Sequence, residues 1–450
     1  MKVIIIGGAT AGMTTASKLK RNLKDKVEIV AYQNLSYPSL GRCGIPYYIG
    51  KNFDEANIMI ARTVEKFSEE GITVHTNYEI TDVDFPNKTV KGINLMTKEP
   101  IEDHYDKLVI AVGGSLDKLN LPGNDAHNIY APATLEAAVK IREELTDKIK
   151  TVVVVGGGPI GLEFCENFAR NDKRVVLIEE QDQVLKDLVD PEIAEAVQME
   201  LERKSVELKL NTKVKKLHVK NKMINQIELA TGELLDVDLV ICALGFTPNT
   251  QFLADSEISM NPQGSIVVND QLETNIPDVY AVGDCVLAKN IIDGSLMQIP
   301  SSTISIKQGK VLANVLTGKD DYFQGAMGTM ILQIFDLEIA RTGFTEEYAK
   351  KMSYLYDTIT VSTKDHTAYV KGAKPVTIKV VYDTKEQIIL GAQILGYHRA
   401  AMRINVFIPL IWSKTKISDV KHLDLPYSPP FSRPMDAVTI ILNKLNAELE

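Results

Sequence analysis

Four cysteines stand in the chain, Cys43, Cys165, Cys242 and Cys285. Their wide separation excludes a C-x-x-C redox pair and a paired zinc-ligand spacing. Any sulfur chemistry must therefore run through one protein thiol. An isolated buried cysteine ordinarily acts as a small hydrophobe, which is the reading for Cys165, Cys242 and Cys285. Cys43 has different neighbours: Gly41, Gly44 and Pro46 let backbone approach a bound group, and Arg42 is a cation that favours thiolate. From these residues alone a redox role and a packing role stand equal.

Two glycine-rich turns carry a second chemistry. Gly7-Gly8-Ala9-Thr10-Ala11-Gly12 follows the apolar run Val3 to Ile6 and precedes a helical pattern. In that setting the glycines allow a tight turn and close helix packing, and the helix N-terminus faces a pyrophosphate. Ala9 replaces the usual second glycine, and Gln33 stands where an acid would bind the ribose. The second turn is fuller. Gly156, Gly158 and Gly161 fill all three places, and Glu179 closes the strand Val175 to Ile178. A carboxylate there accepts from the ribose 2′ hydroxyl and repels a 2′ phosphate, and no Lys or Arg occurs from Leu177 to Val184. NADH is expected over NADPH. Two such units imply two dinucleotides, and one flavin with one nicotinamide is the pairing that permits hydride transfer.

These loops need strands and helices to hold them. Val, Ile and Leu runs bounded by glycine predict strands buried on both faces, hence parallel sheets and an α/β fold. The repeated strand-loop-helix order at Thr151 to Gly161 is an internal duplication. Buried runs ending at Gly113-Gly114, Gly245 and Gly283 suggest that the chain leaves one unit and returns to it, while alternating patterns after about Tyr322 predict a separate α+β domain. A length of 450 residues, at about 150 per domain, predicts roughly three domains. The net charge of -9 gives no electrostatic reason to bind nucleic acid or an anionic membrane. No apolar stretch approaches the roughly 18 residues of a membrane span, and scattered cysteines suit a reducing compartment, so a cytoplasmic protein is expected.

Tyr280-Ala281-Val282-Gly283-Asp284 resembles the second FAD motif of the pyridine nucleotide-disulfide reductase family, and Asp106 to Gly114 and Leu244 to Asn249 resemble its domain crossings. The resemblance spans the chain. Ser39-Leu40-Gly41-Arg42-Cys43-Gly44-Ile45-Pro46-Tyr47-Tyr48-Ile49-Gly50 is similar to the single-cysteine branch, which contains coenzyme A-disulfide reductases, NADH peroxidases and NADH oxidases. Thr10 stands where peroxidases and water-forming oxidases carry a histidine. His366-Thr367-Ala368-Tyr369 and Leu425-Pro426-Tyr427-Ser428 resemble the tyrosine motifs that the reductases supply from a partner subunit, although Val370-Lys371-Gly372 departs from the family after Tyr369.

What the resemblance implies is two Rossmann-like domains plus an α+β C-terminal dimerisation domain. Residues 1–115 and 249–322 would form the FAD unit, 116–248 the NAD(P)H unit and 323–450 the dimerisation domain. FAD would lie on Gly7, Gly8, Ala9, Gly12, Gln33, Gly113, Asp284 and Pro300, and NAD(P)H on Gly156, Gly158, Gly161, Glu179 and Gly245. Cys43, Tyr427 and Tyr369 would be catalytic, with Lys18, Arg21, Ser39 and Arg42 binding substrate and no metal. Lys18 and Arg21 have an ordinary explanation too, at a helix C-terminus where cations are favoured. The implied activity is reduction of coenzyme A disulfide, or a related disulfide or persulfide, by a homodimer. Coenzyme A in mixed disulfide with Cys43 would make a second protein cysteine unnecessary. The alternatives are an NADH oxidase or peroxidase cycling Cys43 through sulfenic acid and, in another class, a non-catalytic flavin redox sensor.

Overall fold

The β-branched run at the N-terminus forms the strand Lys2–Ile6 at the centre of a parallel sheet. Its order is Val279–Ala281, Lys107–Ile110, Lys2–Ile6, Glu28–Gln33, Thr73–Thr76. This architecture comes from a computed structural model that describes residues 1–449. The second valine run builds the same sheet again, ordered Ile129–Tyr130, Leu239–Cys242, Thr151–Val155, Arg174–Ile178, Val206–Lys209, all parallel. Val152, Val153 and Val154 are fully buried, as a strand covered on both faces requires.

The duplication reaches further than the strand-loop-helix unit read from the sequence. Each unit carries a three-stranded antiparallel meander just before a later strand of its sheet, between the third and fourth strands of the first sheet in chain order and between the fourth and fifth of the second. These are Tyr78–Asp84, Thr89–Asn94 and Pro100–His104 in one, Val214–Lys220, Met223–Leu229 and Leu234–Asp236 in the other. Half-exposed meanders repeat as a shape and not as a residue string, so sequence self-similarity does not reveal them. Gly114–Leu116 leaves the first unit and Phe246–Pro248 returns to it, paired antiparallel as a two-stranded connector.

Beyond it lies an antiparallel sheet, Met330–Ile334, Leu337–Gly343, Ile388–Gly396, Pro375–Asp383, Tyr356–Lys364. The helices Ile404–Trp412 and Ala437–Leu449 bury Ile404, Phe407, Ile441 and Leu445 against it. The α/β class with an α+β C-terminal domain is thus the fold observed. Among the described residues no helix is long and apolar enough to cross a membrane.

A polar hub locks this C-terminal sheet to the second nucleotide unit. Lys379, with a side chain 4% exposed, places Nζ 3.0 Å from Asp190 Oδ2, 2.6 Å from Glu346 Oε2 and against Glu192. Asp190 is fully buried and accepts the backbone amides of Glu346 and Glu347. Gln393 bonds both the Asp190 amide and its carboxylate, while Arg341 donates to the carbonyls of Asp187 and Leu188. The three carboxylates lie close enough to hold a cation, and the lysine ammonium fills that role.

Candidate active site

Both glycine turns are built alike. Gly7 has φ +114° and Gly156 φ +110°, and a Cβ on either would sit 2.2 or 2.3 Å from the carbonyl oxygen of Ala111 or Ala243. Only glycine fits there. A Cβ at Gly158 would meet open space, which explains why the first turn tolerates Ala9 at the corresponding position. Gln33 and Glu179 are likewise equivalent. The Gly8 amide donates to Gln33 Oε1 at 3.1 Å, and the Gly157 amide to Glu179 Oε2 at 2.6 Å. Gln33 therefore braces its loop as the acid does in the other, with its amide group turned inward to the Tyr37 carbonyl. Glu179 Oε1 also accepts the Gln181 amide, and the carboxylate forms no ion pair with a basic side chain among the described residues.

Beside the first turn, Asp284 Oδ1 accepts the Ser301 amide at 3.1 Å and the Ser305 hydroxyl at 3.2 Å, and burial pushes its carboxyl up. Pro300 immediately precedes this contact on an exposed turn. Gly113 has φ +61° and open space at its Cβ, and Gly245, exposed, accepts the Asp117 amide. Arg42 turns towards this region: its Nη1 donates to the Gly114 carbonyl at 2.6 Å, burial pushes it down and Asp284 opposes that. The guanidinium is thus committed to the start of the connector strand Gly114–Leu116.

Cys43 is exposed, whereas Cys165, Cys242 and Cys285 are buried. Burial pushes Cys285 up to about 12 and raises Cys165 and Cys242 as well, which keeps them as inert thiols at neutral pH. Cys43 lies in the turn Arg42–Gly44, before the short helix Ile45–Ile49. Upstream, the Ser39 amide bonds the Gly8 carbonyl of the first glycine turn at 2.8 Å. Downstream, the short helix is seated on the helix of the second turn, Pro159–Ala169. Asn52 Nδ2 donates to Asn167 Oδ1 at 2.8 Å and Asn171 Nδ2 to the Gly50 carbonyl at 2.9 Å, and Arg142 donates to the Tyr48 carbonyl. A Cβ at Gly50 would lie 2.0 Å from Asn167 Oδ1. One exposed thiol is thereby strung between the two dinucleotide turns.

In the C-terminal domain Tyr369 and Tyr427, 76% and 47% exposed, bring their hydroxyls to 3.5 Å. That bond raises Tyr427. Their loops are clamped together: Thr367 Oγ1 donates to the Pro429 carbonyl at 2.9 Å, and Arg403 Nη2 donates to the Asp365 and Phe431 carbonyls. Neither tyrosine bonds Cys43 within the chain. Lys18 is pushed down by burial and by Lys319, Lys310 and Arg21, with Asp321 opposing. Lys18 and Arg21 were legible in the sequence, but Lys310 and Lys319 were not, because the fold brings them in from the helix Ser302–Val315 and the segment just after it.

Residues 1–309 match the pyridine nucleotide-disulphide oxidoreductase family, and residues 331–438 match its dimerisation domain. The chain belongs to that family. A coenzyme A disulfide reductase of Staphylococcus aureus is 28% identical over 443 residues, 98% of each chain. Reduced Bacillus anthracis CoADR-RHD superposes with TM-score 0.95 at 28% identity, over all of this chain and 80% of that one. An NAD-dependent persulfide reductase from A. fulgidus gives TM-score 0.95 at 31% identity, over all of this chain and 83% of its own.

Membership in the pyridine nucleotide-disulphide oxidoreductases implies FAD and NAD(P)H, and the residues present fit both. The paired turns present the N-termini of their helices to a pyrophosphate, with open space at the Gly158 Cβ position, and Asp284 is a desolvated carboxylate whose remaining oxygen can accept from a bound sugar hydroxyl. Two side chains near Cys43 escaped the sequence reading. Tyr47 OH donates to Glu163 Oε1 at 3.3 Å, and burial, with Glu166 adding repulsion, pushes Glu163 up to about 7 against that hydrogen bond. A doublet of acids at Glu163 and Glu166 on an otherwise apolar helix was the available signal.

Proposed function

We propose that this protein is a homodimeric, NADH-dependent disulfide reductase acting on coenzyme A disulfide or a closely related disulfide or persulfide. The observation that carries the reading is the single exposed thiol of Cys43 held between the two dinucleotide turns. Bound there, FAD and NADH supply a two-electron path from nicotinamide to sulfur. Cys43 as thiolate attacks a disulfide, forms a mixed disulfide with one half and expels the other as thiolate. Reduction of that mixed disulfide by the electron pair returns the Cys43 thiolate and the second thiol. Tyr427 of the second protomer, with Tyr369 as its hydrogen-bond partner, donates the proton to the departing thiolate. Lys18, Arg21 and Ser39 bind the substrate's polar end in this reading, while Arg42 is reassigned to steady Asp284 and Gly114. Residues 1–115 with 249–322, 116–248 and 323–450 are proposed as the FAD, NAD(P)H and dimerisation units.

Relatives named for coenzyme A disulfide and for persulfide support the sulfur acceptor, and Thr10 in place of a histidine counts against peroxide. The deciding experiment is the intact mass of protein denatured without reductant. One coenzyme A on Cys43, released by dithiothreitol, is the expected result. A gain of sulfur atoms alone shifts the substrate to persulfide, and a free thiol or an oxygen adduct overturns the disulfide reading in favour of an oxidase.

Cofactor choice is separately testable. Exchanging Glu179 for arginine removes the acceptor for a 2′ hydroxyl and supplies a partner for a 2′ phosphate. The ratio of kcat/KM for NADH over NADPH is expected to fall at least about tenfold, the equivalent of roughly 1.4 kcal/mol. Steady-state kinetics with both nucleotides read it directly, and an unchanged ratio removes Glu179 as the discriminator.

A further inference from the structure

Three polar side chains lie side by side across the C-terminal sheet. Arg341 pairs directly with Gln393, and Gln393 with Lys379, on the adjoining strands Leu337–Gly343, Ile388–Gly396 and Pro375–Asp383. All three are buried, and their strand neighbours Ala340, Ile378, Val380 and Ile394 are fully buried apolar residues. A polar row in an apolar sheet is costly unless it is bonded, and this one is bonded to a single short segment of the second nucleotide unit. Arg341 Nη1 donates to the Asp187 carbonyl at 3.3 Å and to the Leu188 carbonyl at 3.2 Å. Gln393 Oε1 accepts the Asp190 amide at 2.8 Å, and its Nε2 joins Lys379 on the Asp190 carboxylate.

Asp187 to Asp190 closes the loop that starts at Glu179. Along that loop the Leu185 amide donates to the Gly157 carbonyl at 2.9 Å, and the Gly157 amide donates to Glu179 Oε2 at 2.6 Å. The loop therefore bonds the second glycine turn on one side and the C-terminal sheet on the other. Leu185 and Asp187 hold φ +54° and +63°, a left-handed backbone that such residues keep only where their surroundings fix it. Arg341, bonded to the Asp187 carbonyl, is a fixing contact of this kind. Its guanidinium bonds no carboxylate among the described residues. Besides the two loop carbonyls it reaches the Gly343 carbonyl, and its Nε is buried without a partner. A buried cation held by carbonyls alone is a poor source of stability compared with an apolar residue of similar size.

We propose that Arg341 sets the affinity of the second turn for NADH. By holding the Asp187 and Leu188 carbonyls it keeps the Glu179 to Asp190 loop, and through Leu185 the Gly157 turn, in the shape that binds the nucleotide. Arg341 is a positioning residue, since it reaches the nucleotide only through the loop. A side chain of the C-terminal domain thereby tunes a site built by another domain. The inference rests on the second turn being the nicotinamide site and not on the identity of the disulfide.

The test is stopped-flow bleaching of the flavin at increasing NADH concentration, in FAD-loaded enzyme with no disulfide present. Arg341→Met is expected to raise the half-saturating NADH concentration about tenfold, the scale of one charge-assisted hydrogen bond, with a limiting rate close to wild type. Asp187→Pro disturbs the same loop from its exposed side, because proline cannot adopt the positive φ found there. It should show the same rise with Arg341 and the sheet intact, and it carries the test alone where Arg341→Met does not fold. In nucleotide-free enzyme, hydrogen exchange followed by peptide mass should quicken in Arg341→Met at residues 183–190, while the strands of the C-terminal sheet exchange as in wild type. Wild-type half-saturation in either variant overturns the proposal. A lower limiting rate at unchanged half-saturation also overturns it, as does faster exchange throughout the C-terminal sheet, which reports undocking of the whole domain. No disulfide enters these measurements, so failure here and failure of the reductase reading are distinguishable.

Discussion

Replacing Cys43 by serine is expected to lower NADH-driven disulfide reduction at least about a thousandfold, the order seen when a nucleophile that acts within a unit is removed. A hydroxyl ionises far above neutral pH and cannot form the mixed disulfide, and the three remaining thiols are buried. Flavin reduction by NADH should proceed at close to the wild-type rate, because both glycine turns and their braces at Gln33 and Glu179 lie outside the substitution. Stopped-flow bleaching of the flavin together with steady-state thiol release separates the two half-reactions. Retained thiol release would exclude Cys43 as the carrier. Loss of both would place its role in flavin or nucleotide binding.

The second large effect is structural. Lys379→Met leaves the buried Asp190 carboxylate facing Glu192 and Glu346 without their common cation. Removing one partner of a buried ion pair typically costs about 3–5 kcal/mol. The C-terminal sheet should then loosen from the second nucleotide unit, seen as a lower urea midpoint of the holoprotein. An unchanged midpoint would show that apolar packing alone joins the two. Burial opposes the charge on Lys379, but its bonds to Glu192, Glu346 and Asp190 outweigh that and raise it. A raised cation contributes fully below the unfolded lysine value of about 10.4 and loses its contribution only as pH rises through the folded value. The destabilisation in Lys379→Met should therefore be flat across neutral pH and should shrink in strong alkali, where the lysine loses its charge.

Legibility along the chain followed the range of the forces involved. The glycine turns were readable because their constraints are short-ranged: a positive φ, a carbonyl on the adjoining strand, a helix packed within a few residues. Ala9 and Gln33 looked like defects on the line of the sequence. In space Ala9 occupies a position whose counterpart is open, and Gln33 accepts the same loop amide as the acid it replaces. Arg42 shows the reverse. Its adjacency to Cys43 suggested a substrate contact, but the side chain spans to Gly114, a direction that adjacency does not encode.

By itself the sequence determined the strand-loop-helix duplication, the α/β class, the dinucleotide turns and the single candidate thiol, because periodicity, glycine placement and cysteine count are local properties. Only the tertiary structure decided that Cys43 is exposed and strung between both turns, that Tyr369 meets Tyr427, and that Glu163 meets Tyr47. The same holds for Lys379, which gathers three carboxylates from two domains. Those pairings join residues far apart in the chain, and their burial sets the charge states that chemistry uses. Desolvation and long-range contact exist only once the chain has closed on itself.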